Sequence, residues 1–352
     1  MTRWFILTRK SHLIGSINVP NAEMAMTSVA DFLGDCCSRI PDGETGERGY
    51  WIRWQNSSFS NCKGLKLEIV KQTIPGFKDT IDRPFYNIDK EIDPSSLDLG
   101  ELGYAAEAIK SYKIFKKLKE KKIIGERVRF QVSIPSAMAL VIGFIVKKDQ
   151  LEVEPAVVTA IKKDLTKLQS AIKPQELAIQ FDICQEIVGY DGGAKIPYDD
   201  ILEGSVKRIA DLCDHVETGA DVGIHLCYGD PGHKHIVEPK DLNTSVSFAN
   251  GITSAAKRTI DFIHMAVPIN RSDDAYFMPL KNLRIHDRTQ LILGLIHYSD
   301  GFDGSKNRLM TAEKFVKEFD IATECGFGRR PSETMPELLQ IHRDLCDFKS
   351  AD

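Results

Sequence analysis

The chain has 352 residues, of which 42% are hydrophobic and 27% are charged, and its formal net charge is −4. These values are typical of a globular protein with enough apolar residues for a large core. The mild acidity and the absence of a basic stripe argue against a nucleic-acid partner, and no apolar run approaches the roughly 20 residues that span a bilayer.

The eight cysteines are scattered along the chain. A chain of this length does not need disulfides to fold, and no segment near the start has the pattern of a secretion signal. We therefore predict a cytoplasmic protein that does not associate with membranes and whose thiols are reduced. Some of those thiols are then free for metal binding or catalysis. The sequence does not indicate an oligomeric state.

Apolar segments rich in β-branched residues alternate with helical patterns along the chain, which is typical of a parallel sheet with helices on its faces. Eight candidate strands favour a (β/α)8 TIM barrel, and the first turn, "GSINVPNAE", lacks the Gly-x-Gly-x-x-Gly of a nucleotide-binding sheet. We predict one α/β barrel domain over residues 1–352. The candidate strands are residues 12–17, 38–43, 127–134, 177–183, 222–228, 261–268, 291–298 and 320–326.

One long insertion, residues 55–100, follows the second candidate strand. It contains the strand-like "LKLEIV" and the Pro- and Asp-rich "TIPGFKDTIDRPFYNIDKEIDPSS". We expect it to form additional strand and loop structure over one face of the barrel, where it is a candidate lid.

Polar residues follow several of these strands at their carboxyl ends. In a TIM barrel the loops after the strands line one shared mouth, where catalytic residues lie. Polar residues at strand ends are common, but these are of types that bind metals and amines. They are Ser16, Glu44, Asp182, His225, Cys227, His297 and Cys325.

The stretch "GIHLCYGDPGHKH", residues 223–235, places His225 and Cys227 two residues apart on a predicted strand. Side chains at positions i and i+2 of a strand point the same way, so both can face one ion. Cys325, after the eighth strand, can supply a third ligand. One imidazole and two thiolates suit a catalytic Zn2+ that keeps an open position. The alternative is a hydrogen-bonded core histidine with two small buried cysteines.

Two charged loops have competing interpretations. The stretch "RIPDGETGERGYWIRWQ" carries Arg48 and Arg53 among acidic residues and can clamp a zwitterion or a carboxylate, or it is a salt-bridged loop. His233 and His235 can bind an anionic group, but we favour a solvated loop there.

Several motifs resemble the zinc-bearing catalytic barrel of cobalamin-independent methionine synthase, within the uroporphyrinogen decarboxylase/methionine synthase-like superfamily. "IHLCYG" and the later "TECGFGRR" are similar to its zinc segments. "LIGSINVP", "PDGETGER", "IQFDICQE" and "GLIHYS" match other segments in the same order. The resemblance covers nearly the whole chain but only the C-terminal catalytic half of the family's proteins.

The resemblance implies roles for the residues at the strand ends. His225, Cys227 and Cys325 would be zinc ligands, and His297 would donate or accept a proton near the leaving group. A further set would hold the amino-acid end of a thiol such as homocysteine: Ser16, Glu44 and Asp182, with Arg48 as an added substrate-binding residue.

Three departures separate this chain from the family pattern. Pro268 stands where the family has a glutamate zinc ligand, and His264, four residues earlier, is a weak substitute. Ile183 replaces an acidic residue, and "SIPSAMALVIGF" has no counterpart of the tryptophan that stacks on folate. The last two departures affect the methylfolate site, so folate is not expected as the donor.

The leading hypothesis is therefore a zinc-dependent transferase, in which a small-molecule thiol attacks an alkyl or methyl donor. One alternative is a metal-independent decarboxylase or lyase on the same scaffold. The other is a non-catalytic binding barrel, which the missing glutamate ligand suggests.

Overall fold

Seven parallel strands form one curled sheet, which is the framework of the molecule. The structure is a computed structural model that describes residues 9–73, 80–231 and 234–349. Within these residues the sheet has the order β1-β4-β5-β6-β7-β8-β9, and β2 and β3 form a separate antiparallel pair. The strands are β1 (Arg39–Pro41), β2 (Leu65–Thr73), β3 (Thr80–Ile88), β4 (Arg129–Pro135), β5 (Leu177–Ile183), β6 (Asp221–Leu226), β7 (Phe262–Ala266), β8 (Gln290–Ile296) and β9 (Asp320–Thr323).

Helices lie between successive strands of the sheet and cover it. The α-helices are α1 (Ala22–Leu33), α2 (Asn56–Ser60), α3 (Tyr104–Glu120), α4 (Ala137–Phe144), α5 (Gln150–Ala171), α6 (Gln185–Tyr190), α7 (Ile201–Asp214), α8 (Asn243–Ala255), α9 (Asp274–Phe277), α10 (Gly301–Ala312) and α11 (Met335–Asp347). Among the described residues, none of these helices has the length and apolar character needed to cross a bilayer.

The local sequence explains why these elements form where they do. Every residue of β5 is buried, as expected for a parallel strand that is covered on both faces and reads as a continuous apolar run. Helix α7 begins at an N-cap, since the Asp200 side chain accepts a hydrogen bond from the Glu203 backbone N–H. Its buried residues recur at helical spacing and pack towards the sheet.

The sheet confirms an α/β fold with TIM-barrel-like architecture, and seven of the predicted strands are present in it. The exception is the segment 12–17, which is not a regular strand. Instead, Ser11 makes isolated parallel bridges to Cys37, next to β1, and to Ile321 of β9, and Ser16 bridges Gly43. This segment therefore connects the two edge strands of the sheet through single bridges, and the full eight-stranded barrel stays a prediction.

The insertion after β1 contributes the β2–β3 hairpin. Its register pairs Val70 with Arg83, and cross-strand partners share a face. The base of the hairpin is held against the barrel, because the Val146 backbone N–H donates to the Tyr86 carbonyl at 3.0 Å. The Ile88 N–H also donates to the Asp149 carboxylate at 2.9 Å. Extra strand structure is thus present as expected, and its role as a lid remains a prediction.

Candidate functional site

A cavity of ≈ 830 Å³ opens at the carboxyl ends of the sheet strands, within the size range of small-molecule sites. The structure brings six of the eight predicted site residues to its wall, whereas Arg48 and His297 do not line it. The six are Ser16, Glu44, Asp182, His225, Cys227 and Cys325.

Two carboxyl groups, those of Glu44 and Asp182, form one side of the inner end of the cavity. Burial raises the pKa of Glu44 to about 8, and the nearby Asp182 and Asp42 add to this effect. Burial also raises the pKa of Asp182 to about 8. Two carboxyl groups in a poorly solvated site resist ionisation together. A positively charged ligand group would relieve this cost, so the pair is suited to an ammonium group.

The local backbone that places Glu44 and its neighbour Trp51 is strained. Glu44 has φ +45° and Trp51 has φ +57°, a region that residues other than glycine rarely adopt. Trp51 also hydrogen-bonds the Asp182 side chain, and Gln180 Nε2 donates to Asp182 Oδ1 at 2.9 Å. Such strain persists where the surrounding structure enforces it, and it concentrates at functional sites.

Two glycines leave room for the polar groups beside the carboxyl pair. A Cβ atom at Gly15 would lie 2.7 Å from Glu44 Oε1, and one at Gly326 would lie 2.4 Å from Ser16 Oγ. The Ser16 hydroxyl accepts a hydrogen bond from the Gly328 N–H at 3.2 Å, so its own O–H remains able to donate into the cavity.

Three thiols lie together in the same cavity wall as the carboxyl groups. Cys227 hydrogen-bonds both Cys184 and Cys325, and the pKa of Cys227 is raised well above its ordinary value, first by its contact with Cys184. The contact with Cys227 likewise raises the pKa of Cys325. A cation is also close, since Arg329 Nη2 donates to Cys325 Sγ at 3.6 Å.

The protonation of His225 follows from a chain of hydrogen bonds. The Thr323 carbonyl can only accept, so His264 Nε2, 3.0 Å away, must donate to it. Burial lowers the pKa of His264 to about 3, so its Nδ1 carries a lone pair at neutral pH and accepts from His225 Nδ1, 2.7 Å away. Burial also holds the pKa of His225 well below its ordinary value. Its Nε2 therefore bears a free lone pair.

These residues fit zinc by the chemistry of the donor set. A neutral imidazole with a free Nε2, two adjoining thiols and a second-sphere partner on the other ring nitrogen are features of zinc sites. However, within the described ranges no group of three or more His, Cys, Asp or Glu side chains is arranged to hold a metal ion. The thiols instead use one another as hydrogen-bond partners.

His264 is not a ligand in this arrangement, because both of its ring nitrogens have partners. Its position as an orienting residue depends on a glycine in the neighbouring strand β8. A Cβ atom at Gly294 would lie 2.8 Å from His264 Nε2.

Arg48 lies outside the large cavity. Its Nη2 donates to Asp42 Oδ2 at 2.9 Å and its Nη1 to Asp42 Oδ1 at 3.3 Å. The Asp42 carboxylate also accepts from the Glu44 backbone N–H at 2.9 Å. The salt-bridged-loop interpretation thus describes Arg48, which supports the backbone that carries Glu44.

His297 is buried behind the cavity. Its Nε2 donates to the Val267 carbonyl at 2.8 Å, and its Nδ1 lies 3.7 Å from Glu324 Oε1. Burial lowers the pKa of His297. With both nitrogens directed at protein groups, the contacts of His297 are those of a hydrogen-bonded structural histidine.

The solvated-loop interpretation is wrong for His235, whereas His233 lies outside the described residues. His235 Nε2 is 3.0 Å from Glu324 Oε2, and its Nδ1 is 3.1 Å from Glu238 Oε2. Burial alone would lower the pKa of His235, but the two carboxylates outweigh burial and raise it to about 9. His235 is therefore protonated and ion-paired at neutral pH.

Sequence reasoning missed Cys184 and the hydrogen bond between His12 and Gln180 inside the sheet. Cys184 follows Asp182 by two residues at the end of β5, so the strand periodicity that paired His225 with Cys227 could have found it. His12 Nε2 donates to Gln180 Oε1 at 2.8 Å. No local signal marks that contact, because the two residues are 168 positions apart.

The comparisons with known proteins agree with this fold. No family model matches the chain, and no curated protein matches it. Two solved structures are similar along nearly their whole length. One is a B12-independent methionine synthase from Shewanella sp. W3-18-1 in complex with selenomethionine, with a TM-score of 0.63, 14% identity and coverage of 97% of this chain and 98% of that chain.

The second is a protein described as a vitamin-B12-independent methionine synthase from Listeria monocytogenes. Its TM-score is 0.57 at 14% identity, and the similarity covers 95% of this chain and 96% of that one. At such low identity, the two likenesses establish a methionine synthase-like fold, and the fold by itself does not assign a reaction.

Proposed function

We propose that this protein is a zinc-dependent transferase that alkylates a small thiol bearing an ammonium group. His225, Cys227 and Cys325 would hold the metal. A zinc ion bound there would lower the pKa of a substrate thiol, so that a thiolate is present at neutral pH.

The observation that carries the proposal is the proton arrangement of the histidine pair. His264 accepts the only ring proton of His225, and it does so because the Thr323 carbonyl fixes its own tautomer. The lone pair of His225 Nε2 thus belongs to a side chain that lines the cavity beside Cys227 and Cys325. A core histidine would also pair its ring N–H, but a metal ligand in addition needs its unprotonated nitrogen on a side chain that lines a cavity together with thiols, which is the arrangement of His225.

The other residues of the cavity would bind and orient the substrate. Glu44 and Asp182 would receive the ammonium group, and at least one of them would ionise as it binds, because a nearby cation favours the carboxylate. Trp51 and Gln180 would hold Asp182 in place. The reaction forms a carbon–sulfur bond and breaks the bond between the alkyl carbon and its leaving group, which keeps the electron pair, while the thiol proton is released.

The first test is the metal content of protein purified without a histidine tag, measured by inductively coupled plasma mass spectrometry. We expect about one zinc per chain in the wild type, as in other sites with three protein ligands, and loss of that zinc in Cys325→Ser and His225→Ala. Cys36→Ser is the matched control, since Cys36 is a half-exposed thiol outside the cavity wall, and it should keep its zinc.

Absence of zinc from wild-type protein after growth in zinc-supplemented medium would overturn the proposal. Equal zinc content in wild type and Cys325→Ser would do the same. Either result would favour the metal-independent lyase or the binding barrel. If zinc is present, the same proteins can be assayed for alkylation of homocysteine and related aminothiols by mass spectrometry, with Glu44→Gln expected to weaken aminothiol binding by about tenfold.

A further inference from the structure

Two arginines from the long segment between β1 and α3 reach the same cavity as the thiols and carboxyl groups. Arg53 belongs to the irregular 3-10 segment Gly46–Gln55, and Arg83 lies in β3 of the inserted hairpin. Both line the cavity wall. Arg83 is held in position, because its Nη1 donates to Gln72 Oε1 at 2.6 Å and its Nη2 to the Gly143 carbonyl at 3.1 Å.

Neither guanidinium has a counter-charge among the described residues. The Arg53 side chain makes no hydrogen bond or ion pair with any of them, and Arg83 bonds two neutral oxygens while its Nε is buried without a partner. Burial lowers the pKa of both side chains, and the proximity of Arg53 contributes to the effect on Arg83, whose pKa falls to about 10. Two half-buried cations are thus held side by side at an energetic cost.

Much of the rest of the cavity wall is apolar. Phe85 packs under Arg83, with the guanidinium carbon 5.3 Å from the ring centroid. Val70, Ile145 and Val146 line the same cavity. A ligand that contacts both the carboxyl pair and the arginines would therefore carry a polar group for each and an apolar part for this wall.

We propose that Arg53 and Arg83 bind an oxyanion, such as a carboxylate, phosphate or sulfonate, carried by the alkyl donor. An oxyanion would supply the missing counter-charge and accept hydrogen bonds from the Arg53 guanidinium and from the Arg83 Nη hydrogens that Gln72 and Gly143 leave free, a geometry to which guanidinium groups are suited. The assignment of this anion to the alkyl donor rests on the proposed function. The anion site itself does not depend on that function.

The test uses a pair of fluorescent probes that differ mainly by one anionic group. 8-Anilino-1-naphthalenesulfonate carries a sulfonate on an apolar body, and N-phenyl-1-naphthylamine has the same rings without it. We expect Arg53→Gln and Arg83→Gln each to weaken binding of the sulfonate probe by about 10- to 100-fold, as for the loss of charge-assisted hydrogen bonds. Binding of the neutral probe should change less than twofold.

Arg343→Gln is the matched control, because Arg343 lies on α11 and its guanidinium pairs with Asp347 and Asp35. It should bind both probes as the wild type does. Arg83→Gln removes a hydrogen bond to the Gly143 carbonyl and can loosen the hairpin. Arg53→Gln removes none, so it keeps the test decisive if the other variant unfolds.

Displacement of the sulfonate probe by phenylacetate, phenyl phosphate and benzenesulfonate then distinguishes the three oxyanions. Displacement by any of them that is lost in Arg53→Gln supports the proposal and identifies the class. Equal binding of the sulfonate probe by wild type and Arg53→Gln would overturn it.

The two proposals fail separately. Probe binding needs no metal, and the zinc content of Arg53→Gln should equal that of the wild type. Zinc without an anion site would leave a transferase whose donor is not held as an anion, whereas an anion site without zinc would leave an anion-binding cavity with another activity.

Discussion

Two histidines from one stretch of sequence, ten residues apart, differ in protonation at neutral pH: His225 is neutral and His235 is protonated. His225 is buried against the neutral His264, and burial holds its pKa well below the ordinary value. His235 lies between two carboxylates that raise its pKa to about 9. Sequence spacing cannot distinguish these two histidines, because the hydrogen-bond partner determines whether the ring is protonated. A neutral acceptor leaves the second ring nitrogen with a free lone pair, whereas a carboxylate stabilises the protonated ring.

The largest effect is expected when the neutral pair is broken. In His264→Leu the His225 Nδ1–H and the Thr323 carbonyl both lose their partner in a buried site, which should destabilise the protein by about 2–4 kcal/mol. If His225 binds zinc as proposed, zinc affinity should also fall by about 10-fold or more, since the residue that orients His225 is lost. Urea unfolding and metal competition measure the two quantities.

The exposed residue His286 gives the control for that experiment. His286→Gln should change stability by less than about 0.5 kcal/mol. His264→Gln, which keeps an acceptor and a donor, should recover part of the loss. If His264→Leu were as mild as His286→Gln, the hydrogen-bond chain would not determine the state of His225.

The second largest effect is expected when the charged residue His235 loses its buried carboxylate partner. In Glu324→Gln, His235 loses its buried carboxylate partner, so its pKa should fall from about 9 towards the ordinary value near 6.5. The folded protein then binds the proton less tightly, and stability at acid and neutral pH should fall by about 1–3 kcal/mol. Ring-proton titration by nuclear magnetic resonance gives the pKa directly.

The pH dependence of this loss has a defined sign. A pKa raised on folding stabilises the protein fully below the unfolded value of about 6.5, and that stabilisation disappears as the pH rises through about 9. The difference in unfolding free energy between wild type and Glu324→Gln should therefore shrink across that interval. A difference that grew with pH would contradict the assignment of the proton to His235.

The smallest effect is expected when Glu238, the exposed carboxylate partner of His235, is replaced. The Glu238 side chain is 66% exposed, and exposed ion pairs contribute little because water and salt screen them. Glu238→Gln should cost no more than about 0.5 kcal/mol, and added salt should remove that difference. A loss as large as that of Glu324→Gln would mean that the two carboxylates act equally on His235.

The sequence predicted seven strands of the sheet and six of the residues that line the cavity. Strand-end placement identified Asp182, His225 and Cys227, because the side-chain period of a strand and the shared mouth of a barrel are local and topological rules. The same rules explain why β5 was predicted with the bounds that the structure has.

What the sequence could not show were contacts between distant segments. His297 lies after a strand like the others, but its nitrogens meet the Val267 carbonyl and the Glu324 carboxylate from two other elements. Arg48 and Arg53 are five residues apart and looked equivalent, yet one pairs with Asp42 and the other faces the cavity. Such choices depend on packing that no periodicity encodes.

The placement of Arg83 has a consequence for how this protein could change over evolution. The thiols and carboxyl groups lie at the ends of strands of the central sheet or in the first residues after them. Arg83 is carried by a hairpin that is outside that sheet. If Arg83 binds the alkyl donor as proposed, mutations in the hairpin would alter which donor is accepted and leave the thiols and carboxyl groups unchanged. Selection could act on specificity and reactivity through separate stretches of the gene.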